Sequence, residues 1–180
     1  MTIMDMCETQ KLADITVANV VEQAGTAKQT FYNHFADIND LICYTASKPI
    51  FREGYRYADP ELTRHALTES LRHRRFFCQL GTLHGQNNYW ETYLAWVKHY
   101  YYELENQTAC DELDVQTRQL RRVRIDLFLG GVVEVLRSWY DRGAQEPVDM
   151  LVQAFYESMP DFIRDRLADA PAVDPNDYPR

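Results

Sequence analysis

The sequence predicts an all-α protein, with short helices near its N-terminus and longer ones after them. Three observations carry this expectation. Apolar residues recur at helical spacing along most of the 180 residues. No stretch alternates apolar and polar residues, and no Asn-Gly or Asp-Gly pair marks a hairpin. Helix punctuation is in place: Thr16, Asp37 and Asp59 stand where N-caps belong, and Gly25 and Gly143 stand where helices end.

Taken in order, the first helix is short, and Met4-Asp5-Met6-Cys7-Glu8 reads as its clipped remnant. Thr16 then caps a helix whose Val17, Val20, Val21 and Ala24 share one face, and Gly25 ends it. Thr26-Ala27-Lys28-Gln29 fits a capping box opening a second short helix, with Phe31 and Phe35 turned inward. Asp37 caps a third, beginning Ile38-Asn39-Asp40-Leu41-Ile42. A short helix, a glycine turn and another short helix in close succession have the physical form of a helix-turn-helix.

Longer amphipathic segments follow. Pro60 after Asp59 occupies a favoured first helical position. Residues 88–105 form a strongly aromatic helix with two adjacent stripes. One holds Tyr89, Tyr93, Trp96 and Tyr100; the other holds Trp90, Leu94, Val97 and Tyr101. Residues 116–142 read as one long helix, apolar nearly all round from Ile125 to Tyr140 except at Asp126, Glu134 and Arg137. Pro147 opens a last helix running to about 166. One chain has little surface to cover two such helices on both sides, so self-association through 116–142 and 147–166 is expected. The tail 168–180, rich in Pro, Asp and Ala, reads as frayed.

Composition narrows the function. With 46% hydrophobic and 26% charged residues the chain is globular, and seven glycines and seven prolines exclude a collagen-like or linker-dominated one. The length fits one large domain or a small and a medium one, with a core that needs no staples. A net charge of −8 argues against nucleic-acid binding by bulk charge, so any such contact must come from a local patch. Cys7, Cys43, Cys78 and Cys110 lie far apart with no C-x-x-C pair, so no zinc or other metal site is expected. No apolar run is long enough to span a membrane, and Met1-Thr2-Ile3-Met4-Asp5 lacks a signal peptide's basic region. A cytoplasmic location with free thiols is expected.

The residues Ile15-Thr16-Val17, Ala24-Gly25, Thr30-Phe31-Tyr32-Asn33-His34-Phe35 and Leu41 resemble the N-terminal signature of the tetracycline-repressor-like (TetR) transcription regulators over about 30 residues. Leu129-Gly130-Gly131-Val132, Trp139-Tyr140 and Gly143 look like the C-terminal domain of a subgroup. The resemblance implies an N-terminal three-helix helix-turn-helix domain over 1–45, with its motif at about 16–35. It further implies a ligand-binding and dimerisation domain over 46–167, then the flexible tail. It places Thr16 against phosphate, turns Lys28, Gln29, Thr30 and Asn33 to the major groove, and sets Tyr32 and His34 on the backbone. The residue chemistry agrees: Gln and Asn pair with adenine, Lys reaches guanine or phosphate, and hydroxyls suit phosphate.

Three departures from that signature stand out. Ile38 replaces the lysine that usually follows His-Phe, the basic arm before the first helix is missing, and the head is acidic. Residues 1–45 carry Lys11 and Lys28 against Asp5, Glu8, Asp14, Glu22, Asp37 and Asp40. Modest, salt-sensitive DNA binding, a start lying upstream, and lost DNA binding all remain open readings.

Tyr89, Tyr93, Trp96 and Tyr100 are the candidate pocket residues for an apolar or aromatic effector, because so many Tyr and Trp side chains bring polar groups that need partners. Gly130, Gly131, Val135, Trp139, Val152 and Phe155 are the candidate dimer interface. The glycines are read there as permitting close helix approach. His84 and His99 read as structural rather than metal ligands. Arg118, Arg121, Arg122 and Arg124 read as a solvated face paired with acids, as do Arg72, Arg74 and Arg75. Pro49 is read as a kink in a helix joining the two domains. No G-x-S-x-G, H-E-x-x-H, G-x-G-x-x-G or Walker loop occurs, so neither an enzyme, a catalytic residue nor a cofactor is expected.

The reading that results is a homodimeric, ligand-responsive DNA-binding regulator, a repressor on a near-palindromic double-stranded operator. The alternative is a co-regulator with weak or lost DNA binding that acts through a protein partner. A third reading is a small-molecule-binding scaffold without regulation.

Overall fold

A computed structural model describes residues 3–48, 54–83, 88–108 and 113–174. Ten α-helices occur among these residues, with no strand beyond one isolated antiparallel bridge, Arg56 with Ala172. Four short helices come first: α1 (Ile3–Met6), α2 (Val17–Ala24), α3 (Lys28–Tyr32) and α4 (Ile38–Ser47). Then come α5 (Pro60–Arg72), α6 (Arg74–Phe77), α7 (Tyr89–Thr108), α8 (Val115–Asp141), α9 (Val148–Ser158) and α10 (Asp161–Arg164).

Local chemistry sets the boundaries. The Thr16 side chain accepts from the Asn19 backbone N–H at 3.3 Å, and Asn19 Oδ1 accepts from the Thr16 N–H at 3.0 Å. This reciprocal box uses Asn where Glu or Gln is usual. Gly25 ends α2 at φ +63°, a conformation other residues adopt only at a cost. Its N–H bonds Glu22 O and the Thr26 N–H bonds Val21 O, the pairing of a Schellman cap. Thr26 is thereby committed to closing α2. The capping box expected at Thr26 and Gln29 does not form, and Ala27 stands at the N-cap of α3 without a side-chain bond. Asp37, Asp59 and Asp114 each cap the next helix through a side-chain oxygen. Gly143, at φ +80°, closes α8 as Gly25 closes α2, with Ala144 N–H on Trp139 O at 2.7 Å.

One apolar cluster runs through both halves of the chain. Ile42, Cys43 and Ala46 of α4 join Phe76, Phe77, Leu80, Tyr89, Trp90, Trp139 and Tyr140 in it. The head is therefore fused to the body through α4, which packs on α7. Polar ties reinforce the seam: Gln79 Oε1 accepts from the Leu12 N–H at 2.8 Å, and the Arg75 guanidinium lies 3.6 Å from the Glu8 carboxylate.

Two expectations change here, and a third falls outside the described residues. The last helix does not run to 166, because it stops at Ser158 and Pro160 separates α9 from the short α10. A proline cannot supply the N–H that would continue the helix. The tail is not frayed over its described part. The Tyr57 N–H bonds Pro171 O at 3.1 Å and the Val173 N–H bonds Tyr55 O at 2.9 Å, while Ala170 and Val173 are buried. Third, α4 ends at Ser47, while Pro49, expected to kink it, lies outside the described residues, as do His84 and Cys110.

Val173 packs with Tyr57 and Leu62, so the Val173→Ala substitution should lower the unfolding free energy by about 2 kcal/mol. Exposed Ala172→Ser should change it by less than about 0.5 kcal/mol. Urea denaturation followed by circular dichroism measures both, and a free tail would leave the two variants alike.

Candidate functional site

The head presents one polar surface. Lys28, Gln29, Thr30, Tyr32, Asn33 and His34 are all exposed, while Phe31 alone of α3 is buried and anchors the helix against Phe35 at 5.5 Å. Phe35 continues to Tyr44 of α4, also at 5.5 Å, so α3 is clamped from beneath by rings. Gln29 Nε2 donates to Asn33 Oδ1 at 3.2 Å one turn on, which leaves the Gln29 carbonyl and the Asn33 amide nitrogen outward. Thr16 is exposed at the N-terminus of α2, but its hydroxyl is already engaged with Asn19 at 2.6 Å.

The second feature is a cavity of about 120 Å³ walled by α5, α7, α8 and α9. Tyr89, Tyr93, Trp96 and Tyr100, the stripe singled out from the sequence, all line it. So do Trp90, Val97 and Tyr101 of the adjacent stripe, which the sequence reading left in the core. Residues far away in sequence complete the wall: Tyr57, Ser70, Phe128, Tyr140 and Phe155. Tyr57 precedes α5 and no periodicity marks it. The α8 contribution could have been read, because Leu129, Val132, Val133, Leu136 and Tyr140 form one helical stripe.

The rings form a continuous ladder. From Trp139 through Tyr140, Trp90, Tyr89, Tyr93, Trp96 and Tyr100 to Tyr57, successive centroids lie between 3.8 and 6.2 Å apart. Tilted, edge and stacked arrangements all occur along it. Tyr57 stacks on Tyr100 at 3.8 Å, held there by the tail's pairing with residues 55–57. Two polar groups of the wall are linked in series. The Tyr140 hydroxyl donates to Ser70 Oγ at 2.7 Å, and Ser70 donates onward to Leu67 O at 2.7 Å.

Among the described residues no Asp, Glu, Lys, Arg or His lines the cavity. Burial pushes the Tyr93 hydroxyl up to about 12 and raises Tyr89, Tyr101 and Tyr140 as well. These tyrosines of the wall thus stay uncharged across the ordinary pH range.

The third feature lies on the outside. Leu120, Val123, Leu127 and Val135 fall on one stripe of α8 with Gly130 and Gly131, and Leu127 is 72% exposed. A Cβ at either glycine would meet nothing within 4 Å. Neither glycine therefore serves a close approach within the chain. Met150 of α9 is also exposed.

The expected interface set divides here. Gly130, Gly131 and Val135 are on this surface. Trp139, Val152 and Phe155 are not: each is buried within the chain, Val152 and Phe155 line the cavity, and Trp139 Nε1 donates to Glu146 O at 3.1 Å. Those three side chains are covered by the chain's own core.

The arginines of α8 pair with rings and main chain more than with acids. Arg121 and Arg124 lie 4.9 and 5.1 Å from the Phe162 ring, Arg122 lies 5.5 Å from Tyr102, and Arg118 holds Leu113 O. Among them, Arg124 also meets a carboxylate, that of Asp161, at 2.9 Å. His99 is exposed with its ring against Tyr100. Among the described residues no group of three or more His, Cys, Asp or Glu side chains could hold a metal ion, and no helix is long and apolar enough to cross a membrane.

No protein-family model and no curated protein matches the sequence. By structure the chain is similar to the dihydroxyacetone kinase operon activator DhaS, with a TM-score of 0.57 and 12% identity. The likeness covers 93% of this chain and 92% of that one, and it is a likeness of fold.

The raised tyrosines tie stability to pH. The folded chain favours the protonated hydroxyl, so this contribution is whole below pH 10 and is lost as pH climbs through about 12. A tyrosinate absorbance step near pH 12 should coincide with loss of the helical circular dichroism signal. Complete tyrosine ionisation with that signal intact would contradict the burial.

Proposed function

We propose that the chain is a DNA-binding transcription regulator that acts as a homodimer and answers to a small molecule held in the cavity. The observation that carries this reading is the placement of α3. It turns its polar side chains to solvent on a ring-packed base, and that base continues through α4 onto α7, the aromatic wall of the cavity. The resemblance of Thr16–Phe35 to a regulator signature supports it. The name of the similar structure, an operon activator, supports it as well.

In this reading Gln29 and Asn33 read base edges, Lys28 and Thr30 reach the groove or phosphate, and Tyr32, His34 and Thr16 hold the backbone. The α8 stripe joins two copies, and the missing side chains at Gly130 and Gly131 let the helices close in. Two-fold pairing then calls for a near-palindromic operator with half-sites about 34–36 Å apart, or a multiple of that. The ligand shifts the equilibrium between head spacings only by its affinity difference for the two. The sign of control follows from where the operator lies relative to the promoter, not from the fold.

Genomic fragments enriched on the immobilised chain at low salt should give a gel shift. Lys28→Ala combined with Gln29→Ala should weaken it at least tenfold, and Lys28→Ala alone should flatten the salt dependence by about one unit of slope per head. Unaltered binding by the double variant would refute the assignment of α3. No shift below micromolar chain at low salt would instead favour a co-regulator working through a protein partner, which the acidic head and Ile38 would suit.

Leu127→Asp puts a charge on the exposed α8 stripe. It should leave the fold intact by circular dichroism and convert dimer to monomer in sedimentation velocity. A native chain that sediments as a monomer would overturn the dimer.

A further inference from the structure

We propose that the cavity is built for a small, uncharged, single-ring aromatic compound that carries a hydrogen-bond acceptor, and that the Trp90 indole N–H reads the acceptor. The inference names the ligand class of the effector site proposed above and rests on that reading.

Charge decides the first part. None of the described residues around the cavity is an acid, a base or a histidine. An ion entering would lose its hydration with no countercharge to replace it, so ionised ligands are disfavoured by a wide margin. Size decides the second. A volume of about 120 Å³ is somewhat below that of an apolar void known to admit benzene, so one ring with a short substituent is the natural load. Shape agrees, because the walls are flat rings: Tyr89 and Tyr140 lie with centroids 5.0 and 6.0 Å from Trp90.

The polar accounting supplies the third part. Trp90 is 8% exposed and lines the cavity, yet its Nε1–H finds no acceptor among the described residues. An indole nitrogen can only donate. By contrast, the Tyr140 and Ser70 hydroxyls are satisfied through Leu67 O, and Trp139 Nε1 has Glu146 O. Trp90 thus brings to the wall a donor that still needs an acceptor. A ligand bearing a carbonyl, ether or nitrile oxygen or nitrogen removes it, and a hydrocarbon of the same shape leaves it standing.

Three probes separate these parts on the full-length chain without DNA: acetophenone, ethylbenzene and benzoate. Calorimetric titration should show acetophenone binding about tenfold more tightly than ethylbenzene, with no benzoate binding in the same range. Trp90→Phe should bring the first two within about twofold of each other by weakening acetophenone alone.

If that variant does not fold, the ¹⁵N-labelled native chain serves instead. Of its three indole N–H signals, one should move downfield with acetophenone and stay with ethylbenzene. Equal affinities for acetophenone and ethylbenzene, tighter binding of benzoate, or no binding of any probe at millimolar concentration would each overturn the proposal. Its fate is separable from that of the regulator reading. The expected probe order without a gel shift keeps the ligand class and removes the regulator. A gel shift with the wrong probe order keeps the regulator and removes the ligand class.

Discussion

The packing of α4 against α7 is the contact on which the rest of this molecule depends. Helix α7 has two obligations, one to the cavity and one to the head. One side gives Tyr89, Trp90, Tyr93 and Trp96 to the cavity, and the beginning of the helix is covered by Cys43 and its neighbours on α4. The Cys43 thiol is buried enough to be pushed up to about 11, and a hydrogen bond with Thr92 ties it to α7. A side chain lining the cavity and one anchoring the head are therefore a single layer apart. Close-packed layers of this kind do not deform smoothly, so a displacement on one side is passed on or resisted as a unit.

That layer also explains how an interior so rich in hydroxyls can be stable. Burying an unpaired hydroxyl is costly, and the chain avoids most of that cost by linking hydroxyls in series, as Tyr140, Ser70 and Leu67 O show. Tyr102 follows another route, donating to Asp126 at 2.5 Å while Lys98 lies 2.8 Å from the same carboxylate. Together these two neighbours hold the Asp126 carboxyl below the usual carboxylate range. The Lys98–Asp126 pair thus lies on the rim of α7 and α8, away from the ring-lined cavity. A neutral centre lined by planar rings selects by shape and by single hydrogen bonds, which favours a ligand of defined chemistry over a class of ions.

Much of this was legible in the residues, and the failures have identifiable causes. Gly25, Asp37, Pro60 and Gly143 marked helix ends correctly because each acts within a turn of its own position. Thr26 misled because two caps compete for it, and the Schellman closure of α2 takes precedence over the start of α3. The tail misled because its composition reads as loose, while one valine and two main-chain bonds hold it down. Tyr57 was out of reach, since its place in the wall depends on that same long-range pairing. Trp139, Val152 and Phe155 show a deeper limit. An apolar face announces that it will be covered, but periodicity does not say whether the chain or a second copy covers it.

The proposed homodimer follows by subtraction. Once the chain's own core has claimed Ile125, Leu129, Val133, Leu136 and Trp139, the exposed apolar residues of α8 are Val115 in its first turn and, further along, Leu120, Val123, Leu127 and Val135. The last four form one stripe, and single exposed side chains would need no explanation where a stripe does. Two adjacent glycines in its middle cost about 1 kcal/mol each in helix propensity, with no contact inside the chain to offset it. In the proposed homodimer another helix would lie close against this stripe, and a second α8 is the simplest surface with the matching form, because a two-fold axis through the glycines would make the stripe its own complement.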